Sequence, residues 1–429
     1  MITNRTAKLI RGGRILDPAS GRDGIFDLLI QNGQIARIDP QIAPPPGTEI
    51  IDATGLLVVP GLVDIHTHLR EPGYEYKETI LTGSKAAAAG GFTSLACMAN
   101  TDPPNDNSSV TEFIRERAQE AGLANIYPVG AVSKGLKGES LAEIGSMVAS
   151  GIVAVSDDGN PVMNSGLMRN ALEYTQMFDI PVISHCEDLG LSQGGQVNEG
   201  LASLRTGLAG IPAEAEVSMV VRDLLLARLT GGKLHLAHIS TARAVDAIRA
   251  AKARGIKVTA ETAPHYFTLT EEAVLTFNTN AKVNPPLRSA ADREAVRNGL
   301  RDGTIDCIAS DHAPHSLVEK DLEFTQASSG IVGLETTLPL TLKLVQEGLL
   351  SLSQAITLLS INPARILNLK KGSLSVGAEA DITVIDPDRK LTVDPEKFFS
   401  RGRNTAFPGL QLQGRAAITL LRGEITFRE

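Results

Sequence analysis

LVDIHTHLR, residues 62–70, puts two histidines two positions apart at the end of a strand-like run. A strand has a side-chain period of two, so His66 and His68 point to one face. Asp64 and Arg70 share that parity if the extended conformation continues. The opposite parity, Val63 and Ile65, is apolar and suits an exterior packed against helices. A strand that turns Asp, His and His inward is not building an apolar core; it is lining a polar site.

Working outward, the same kind of run recurs. Eight strand-like segments fall at 62–66, 92–98, 126–132, 152–157, 181–185, 234–240, 257–261 and 305–311, here called strands 1 to 8. Ala- and Leu-rich helical stretches separate them, among them ETILTGSKAAAA, TEFIRERAQEA and AEAEVSMVVRDLLLARL. Eight strand–helix units over about 300 residues predict an α/β fold closed as a (β/α)8 TIM barrel. A doubly wound open sheet is the alternative, but the first unit carries no Gly-rich dinucleotide turn. Both chain ends differ from this pattern. AKLIRGGRIL, DLLIQNGQIARID, ADITVIDP and AAITLLRGEITF alternate apolar and polar residues between Gly-containing turns. They predict one small β-sandwich built from the two termini. The boundaries read as sandwich over 1–58, barrel over 59–367 and sandwich again over 368–429.

Composition narrows the function. The 429 residues carry 41 Lys+Arg against 49 Asp+Glu, a formal charge of −8. An acidic surface argues against nucleic acid or an anionic membrane as partner, while leaving room for an anionic small molecule met by a few local cations. No apolar run reaches the roughly 18 residues of a membrane span. The start, MITNRTAKLI, lacks the apolar stretch of a secretory leader. Cys97, Cys186 and Cys307 are too scattered for a disulfide frame and read as packing residues, so a reduced, cytoplasmic location is the default.

The eight histidines carry the chemistry. His66 and His68 end strand 1, His185 ends strand 5, His238 falls near the end of strand 6, and Asp311 ends strand 8. In a barrel these strand ends converge on one mouth. Neutral imidazoles with carboxylates are the donor set of Zn²⁺ or a similar divalent ion. Four histidines and one aspartate exceed one tetrahedral ion with an open position, which points to two ions and a bridging anion. Strand 4 ends in VAVSDDG, and Asp158 continues the small Ala154–Ser156 face. Asp158 is therefore the expected bridge, with Asp157 behind it or facing solvent. His315, in SDHAPH, sits just past Asp311 at the mouth, and Asn100 and Asn284 fall in mouth loops. His235 has the opposite parity to His238 and is expected to pack outside the barrel. His312 reads as structural or as a support behind the ligands, and His265 is equally compatible with loop structure and with the site.

GLVDIHTHLREPGYEYKETI, MANTDPPND, SDDG, SHCED, AHIST, AETAPHY, NPPLR, ASDHAPH and GIVGLETTLPL together resemble the amidohydrolase superfamily, and within it the class I bacterial dihydroorotases. The likeness runs to RNTAFPGLQLQG near the end of the chain. It implies the reversible conversion of N-carbamoyl-L-aspartate to L-dihydroorotate in pyrimidine biosynthesis. Carried over by motif, it gives one Zn²⁺ to His66, His68 and Asp311, a second to His185 and His238, and places Asp158 between them. It assigns Arg70, Asn100 and His315, beside the His68 ligand, to the substrate carboxylate. Asn284 and the backbone at Ser329 and Gly330 would line the ring. Asp311 would shuttle the proton. A homodimer and aspartate transcarbamoylase enter as partners by the same route. Many relatives bridge their metals with a carboxylated lysine at the end of strand 4; here the nearest lysines, Lys134 and Lys137, follow strand 3. That counts against dihydropyrimidinase, hydantoinase and allantoinase. The chain also departs from the dihydroorotase pattern, with Ala99 and Ala406 in place of prolines and Ser328-Ser329-Gly330 in place of Pro-Phe-Gly.

Overall fold

The computed structural model describes residues 7–429; residues 1–6, the first part of the MITNRTAKLI start, lie outside the described residues. Strands 1 to 8 are Leu62–Thr67, Phe92–Cys97, Asn125–Gly130, Ala154–Ser156, Val182–Ser184, Leu234–Leu236, Val258–Thr262 and Cys307–Ile308. They form one parallel sheet in chain order. Helices follow the strands and bury Leu62, Leu95, Val155, Val182, Leu234 and Leu236 in the main apolar cluster. The α/β barrel read from the sequence is the observed architecture.

Its interior holds a smaller cluster that includes Ala96, Met98, Val129, Ala154, Ile183, Ala237 and Ala309. Val63 and Ile65 belong to this interior cluster, which corrects the expectation that they face the helices. The reason is a break in register. Asp64 lies opposite Leu95 and Thr67 opposite Cys97, so strand 1 fits three steps against two of its neighbour. This extra residue interrupts strict alternation, so Ile65 and His66 both serve the interior.

Strands 8 and 1 share no ladder, and the seam between them is closed by other means. The His68 N–H donates to the His312 carbonyl at 2.9 Å. Deeper in the barrel, the Asp64 carboxylate accepts the Ser310 N–H at 3.1 and 3.2 Å and the His66 N–H at 3.1 Å. Burial pushes the Asp64 carboxyl up to about 7 against the pull of these donors.

Both chain ends contribute to one eight-stranded sheet. The N-terminal strand Leu57–Pro60 pairs antiparallel with Ile382–Thr392 and so joins the two ends. Ile10, Ile15, Leu28, Val58, Ile382 and Leu420 share its apolar cluster. The sheet docks on the first barrel helix, Ile80–Gly90. Thr79 and Thr82 form its capping box, and Gly91 ends it at φ +87°. The Gly91 carbonyl accepts from Thr383 Oγ1, and a Cβ at Gly91 would stand 2.8 Å from the Thr383 methyl. Among the described residues no helix is long and apolar enough to cross a membrane.

Asp64→Ala strands two buried N–H groups at the seam, and it should lower stability by about 2 kcal/mol. Urea unfolding of chelator-treated protein measures this. An unchanged midpoint would show that the His68–His312 contact alone closes the barrel.

Candidate metal centre

Six side chains meet at the mouth, from strand 1 (His66) and the residues just past strands 1 (His68), 4 (Asp158), 5 (His185), 6 (His238) and 8 (Asp311). All six are buried. His238, Asp311 and the nearby Arg70 have φ values of +35°, +48° and +64°. Non-glycine residues occupy this left-handed region at a cost that the surrounding fold must offset, and such strain gathers at functional sites. The turn at His238 also explains why strand parity fails beyond Ala237.

Asp158 divides the donors into two groups. Its Oδ2 lies 3.4 Å from His66 Nε2 and 3.5 Å from His68 Nε2. Asp311 Oδ1 lies 3.6 and 3.3 Å from the same two nitrogens. The other oxygen, Oδ1, lies 3.3 Å from His238 Nε2 and 3.6 Å from His185 Nδ1. These separations are mostly long for hydrogen bonds. They match the edge of about 3.3–3.5 Å of a tetrahedron whose centre is a zinc ion about 2.0–2.1 Å from each ligand. His66 Nε2 is buried without a hydrogen-bond partner, as a donor atom reserved for a cation would be. The donor chemistry fits divalent ions, and so does the spacing except between His185 Nδ1 and His238 Nε2, which stand 2.8 Å apart as a hydrogen-bonded pair that an ion would have to part.

The protonation states agree. Burial opposes charge on His66, but Asp158 and Glu261 push its pKa well up; burial likewise opposes charge on His185, which Asp158 and Glu187 raise to about 10. Burial also disfavours ionised Asp158 and Asp311, yet the facing imidazoles hold both carboxyls below the usual range. Without metal the cluster keeps its anions by protonating imidazoles; divalent cations serve the same balance with the nitrogens bare.

Around the cluster is a cavity of about 240 Å³ lined by His68, Arg70, Asn100, Asn284, Asp311, His315, Ser329 and Gly330 among others. Arg70 is nine-tenths buried, its Nε donating to the Pro314 carbonyl at 3.2 Å. Among the described residues no carboxylate lies within ion-pair distance of Arg70. Asn100 Oδ1 is 2.9 Å from His68 Nδ1, which orients that ring. Asn284 donates to Glu187 at 2.9 Å. His315 Nε2 faces the Ser329 carbonyl at 2.8 Å and so carries its proton there. Gly330, at φ +128°, leaves no room for a Cβ, which would meet the Ala313 Cβ at 2.8 Å.

Other residues fall away from the donor atoms. Asp157 is buried rather than solvent-facing, and its carboxylate accepts from the Val132 and Ser133 N–H groups and the Ser133 hydroxyl. His312 bonds Glu78 and the Gly333 N–H. Lys134 and Lys137 are exposed. Cys186 packs near Asp223, and burial raises its thiol pKa well above normal. His265 reaches the site: its Nε2 is 4.0 Å from Asp311 Oδ2, and burial lowers its pKa to about 4.

His235 is a correction. It sits between Thr259 Oγ1 at 2.8 Å and Glu261 Oε2 at 3.2 Å, inside the barrel beneath the cluster. The other Glu261 oxygen bonds His66 Nδ1 at 2.5 Å. Glu261 thereby fixes the tautomer that presents Nε2 to the mouth, and Glu187 does the same for His185, bonding its Nε2 at 2.9 Å. Sequence reading missed both carboxylates. Their signal was available: Glu261 ends strand 7, and Glu187 lies two residues past His185. Glu261→Gln should weaken divalent-ion affinity by about 10- to 100-fold with the fold intact. Competition with a chelator, alongside circular dichroism, measures it; unchanged affinity would remove Glu261 from the site.

Comparisons with known proteins bear on the family. A model of the dihydro-orotase-like family matches residues 55–244, and one of the amidohydrolase family matches 227–427. A dihydroorotase of Syntrophus aciditrophicus is 57% identical over 422 residues, covering 98% of this chain and 99% of the relative. One of Geobacter metallireducens is 54% identical over 420 residues, with 98% and 99% covered. Among solved structures, the L-hydantoinase (dihydropyrimidinase) of Arthrobacter aurescens superposes with a TM-score of 0.88 at 26% identity, covering 99% of this chain and 96% of that one. The dihydropyrimidinase of Brevibacillus agri gives 0.87 at 26%, with 99% and 95% covered. The chain belongs to the dihydroorotase family of the amidohydrolase superfamily, hydrolases that act on cyclic amides.

Proposed function

We propose that this chain is a dihydroorotase of the class I bacterial type, interconverting N-carbamoyl-L-aspartate and L-dihydroorotate with two zinc ions per chain. The observation that carries the reading is Arg70, a buried guanidinium without a carboxylate partner on the wall of the cavity that holds the six-donor cluster. A planar cation so placed suits a substrate carboxylate, which neutral pyrimidines and hydantoins lack. An aspartate in place of lysine at the end of strand 4 supports the same choice within the family.

His66, His68 and Asp311 would hold one ion, His185 and His238 the other, with Asp158 touching both. Bound there, the ions would supply an activated water and polarise the ring amide carbonyl. The rest falls to the chain. Arg70, with Asn100, fixes the substrate carboxylate and so orients the ring; His315 joins them when its Nε2–H leaves the Ser329 carbonyl for the substrate. Asn284, Ser329 and Gly330 line its other edge. Asp311 accepts a proton from the attacking water and returns it to the leaving nitrogen, and runs in reverse for ring closure. We assign the barrel to 59–367 and the end sheet, among the described residues, to 7–58 and 368–429, with its strand Leu57–Pro60 crossing the first boundary. The reading carries a cytoplasmic place in pyrimidine synthesis, and the family resemblance adds a homodimer and aspartate transcarbamoylase as partners.

The deciding assay offers dihydroorotate, hydantoin, allantoin and dihydrouracil to the metal-loaded protein. Hydrolysis of dihydroorotate alone is expected; preference for a neutral ring would overturn the assignment. Arg70→Met should lower kcat/KM for dihydroorotate by about 10- to 150-fold, the worth of a charge-assisted hydrogen bond.

Asp311→Asn can still touch a metal but cannot carry a proton, so both directions should fall by at least about 100-fold. A metal-replete variant with near-normal turnover in a two-direction assay would exclude Asp311 as the shuttle.

A further inference from the structure

Ser329 and Gly330 line the cavity beside Ala313 and His315. With Ser328, which precedes them outside the lining, they carry three consecutive carbonyls, and a carbonyl oxygen turned toward an anion repels it. Each of the three is held elsewhere. Lys320 Nζ donates to the Ser328 carbonyl at 2.7 Å and to the Gly330 carbonyl at 3.1 Å. His315 takes the Ser329 carbonyl. Asn404, reaching in from the C-terminal segment, adds a second donor to the Gly330 carbonyl at 3.0 Å.

Lys320 is unusual among these donors. It is 5% exposed, and among the described residues no carboxylate pairs with it. The charge that faces it is another buried ammonium, Lys282, whose Nζ donates to the Phe324 and Thr325 carbonyls at the start of the same segment. Burial, with Lys282 adding repulsion, pulls the Lys320 pKa down to about 7. A buried, unpaired ammonium destabilises the fold. A methionine of the same length would remove that cost but leave the two carbonyls without this donor. What the buried amine supplies is hydrogen bonds to the carbonyls of a wall that faces an anionic substrate.

We propose that Lys320 is a positioning residue for substrate binding: it turns the Ser328 and Gly330 carbonyls out of the cavity and adds positive potential behind a wall that faces a carboxylate-bearing ring. The inference rests on the dihydroorotase reading for the identity of that ring, and on the geometry for the wall.

Lys320→Met is the test, read in two ways. In steady-state hydrolysis, KM for dihydroorotate should rise about ten-fold or more while kcat stays within about two-fold of wild type and divalent-ion content is unchanged. In hydrogen exchange, amides of 324–330 should lose protection while the rest of the barrel keeps it, and any fall in the thermal midpoint should be small, since losing a buried cation offsets losing its hydrogen bonds. Unchanged KM with unchanged exchange would overturn the proposal. So would a lowered midpoint with protection lost across the barrel, since that is a packing defect. If wild type itself does not hydrolyse dihydroorotate, the substrate reading fails, and exchange at 324–330 still decides whether Lys320 holds the wall: unchanged protection there overturns it.

Discussion

The Asp158 carboxylate between two sets of imidazoles is the constraint on which the rest of this structure depends. One oxygen faces His66 and His68, the other His185 and His238. Holding four rings and two carboxylates this close, out of water, is unfavourable unless cations bind or protons are taken up. The barrel makes it possible by bringing five strand ends to one mouth. The features around it serve the same end: left-handed backbone at His238 and Asp311, an interrupted strand 1, and carboxylates behind the rings.

Those rear carboxylates decide which nitrogen each ring offers. Glu261 holds His66 by Nδ1 and leaves Nε2 to the mouth; Glu187 holds His185 by Nε2 and leaves Nδ1. Glu261 also bonds His235, so a polar chain from Thr259 through His235 and Glu261 to His66 runs beneath the cluster.

Much of this was legible in the sequence because strand periodicity and barrel topology are simple rules. HTH, His185, His238 and Asp311 could be placed at one mouth from their positions at run ends, and the two ends of the chain could be joined from their shared alternation. The failures share one physical cause. Parity assumes an unbroken ladder, and strand 1 carries an extra residue that brings Val63 and Ile65 inside. His235 was sent outside by counting back from His238, across a residue at φ +35° where alternation does not hold. Supporting contacts such as Asn404 to His315 and Gly330 join residues 74 to 89 positions apart, and no local pattern announces them.

Anomalous diffraction at the zinc edge, on crystals of the zinc-loaded protein, decides whether two cation sites share Asp158. Two peaks about 3.5–4 Å apart are expected, one on each side of the Asp158 carboxylate. The first should lie among His66, His68 and Asp311, the second against His185 and His238. A single peak with His185 and His238 still joined to each other at 2.8 Å, as they are here, would contradict it.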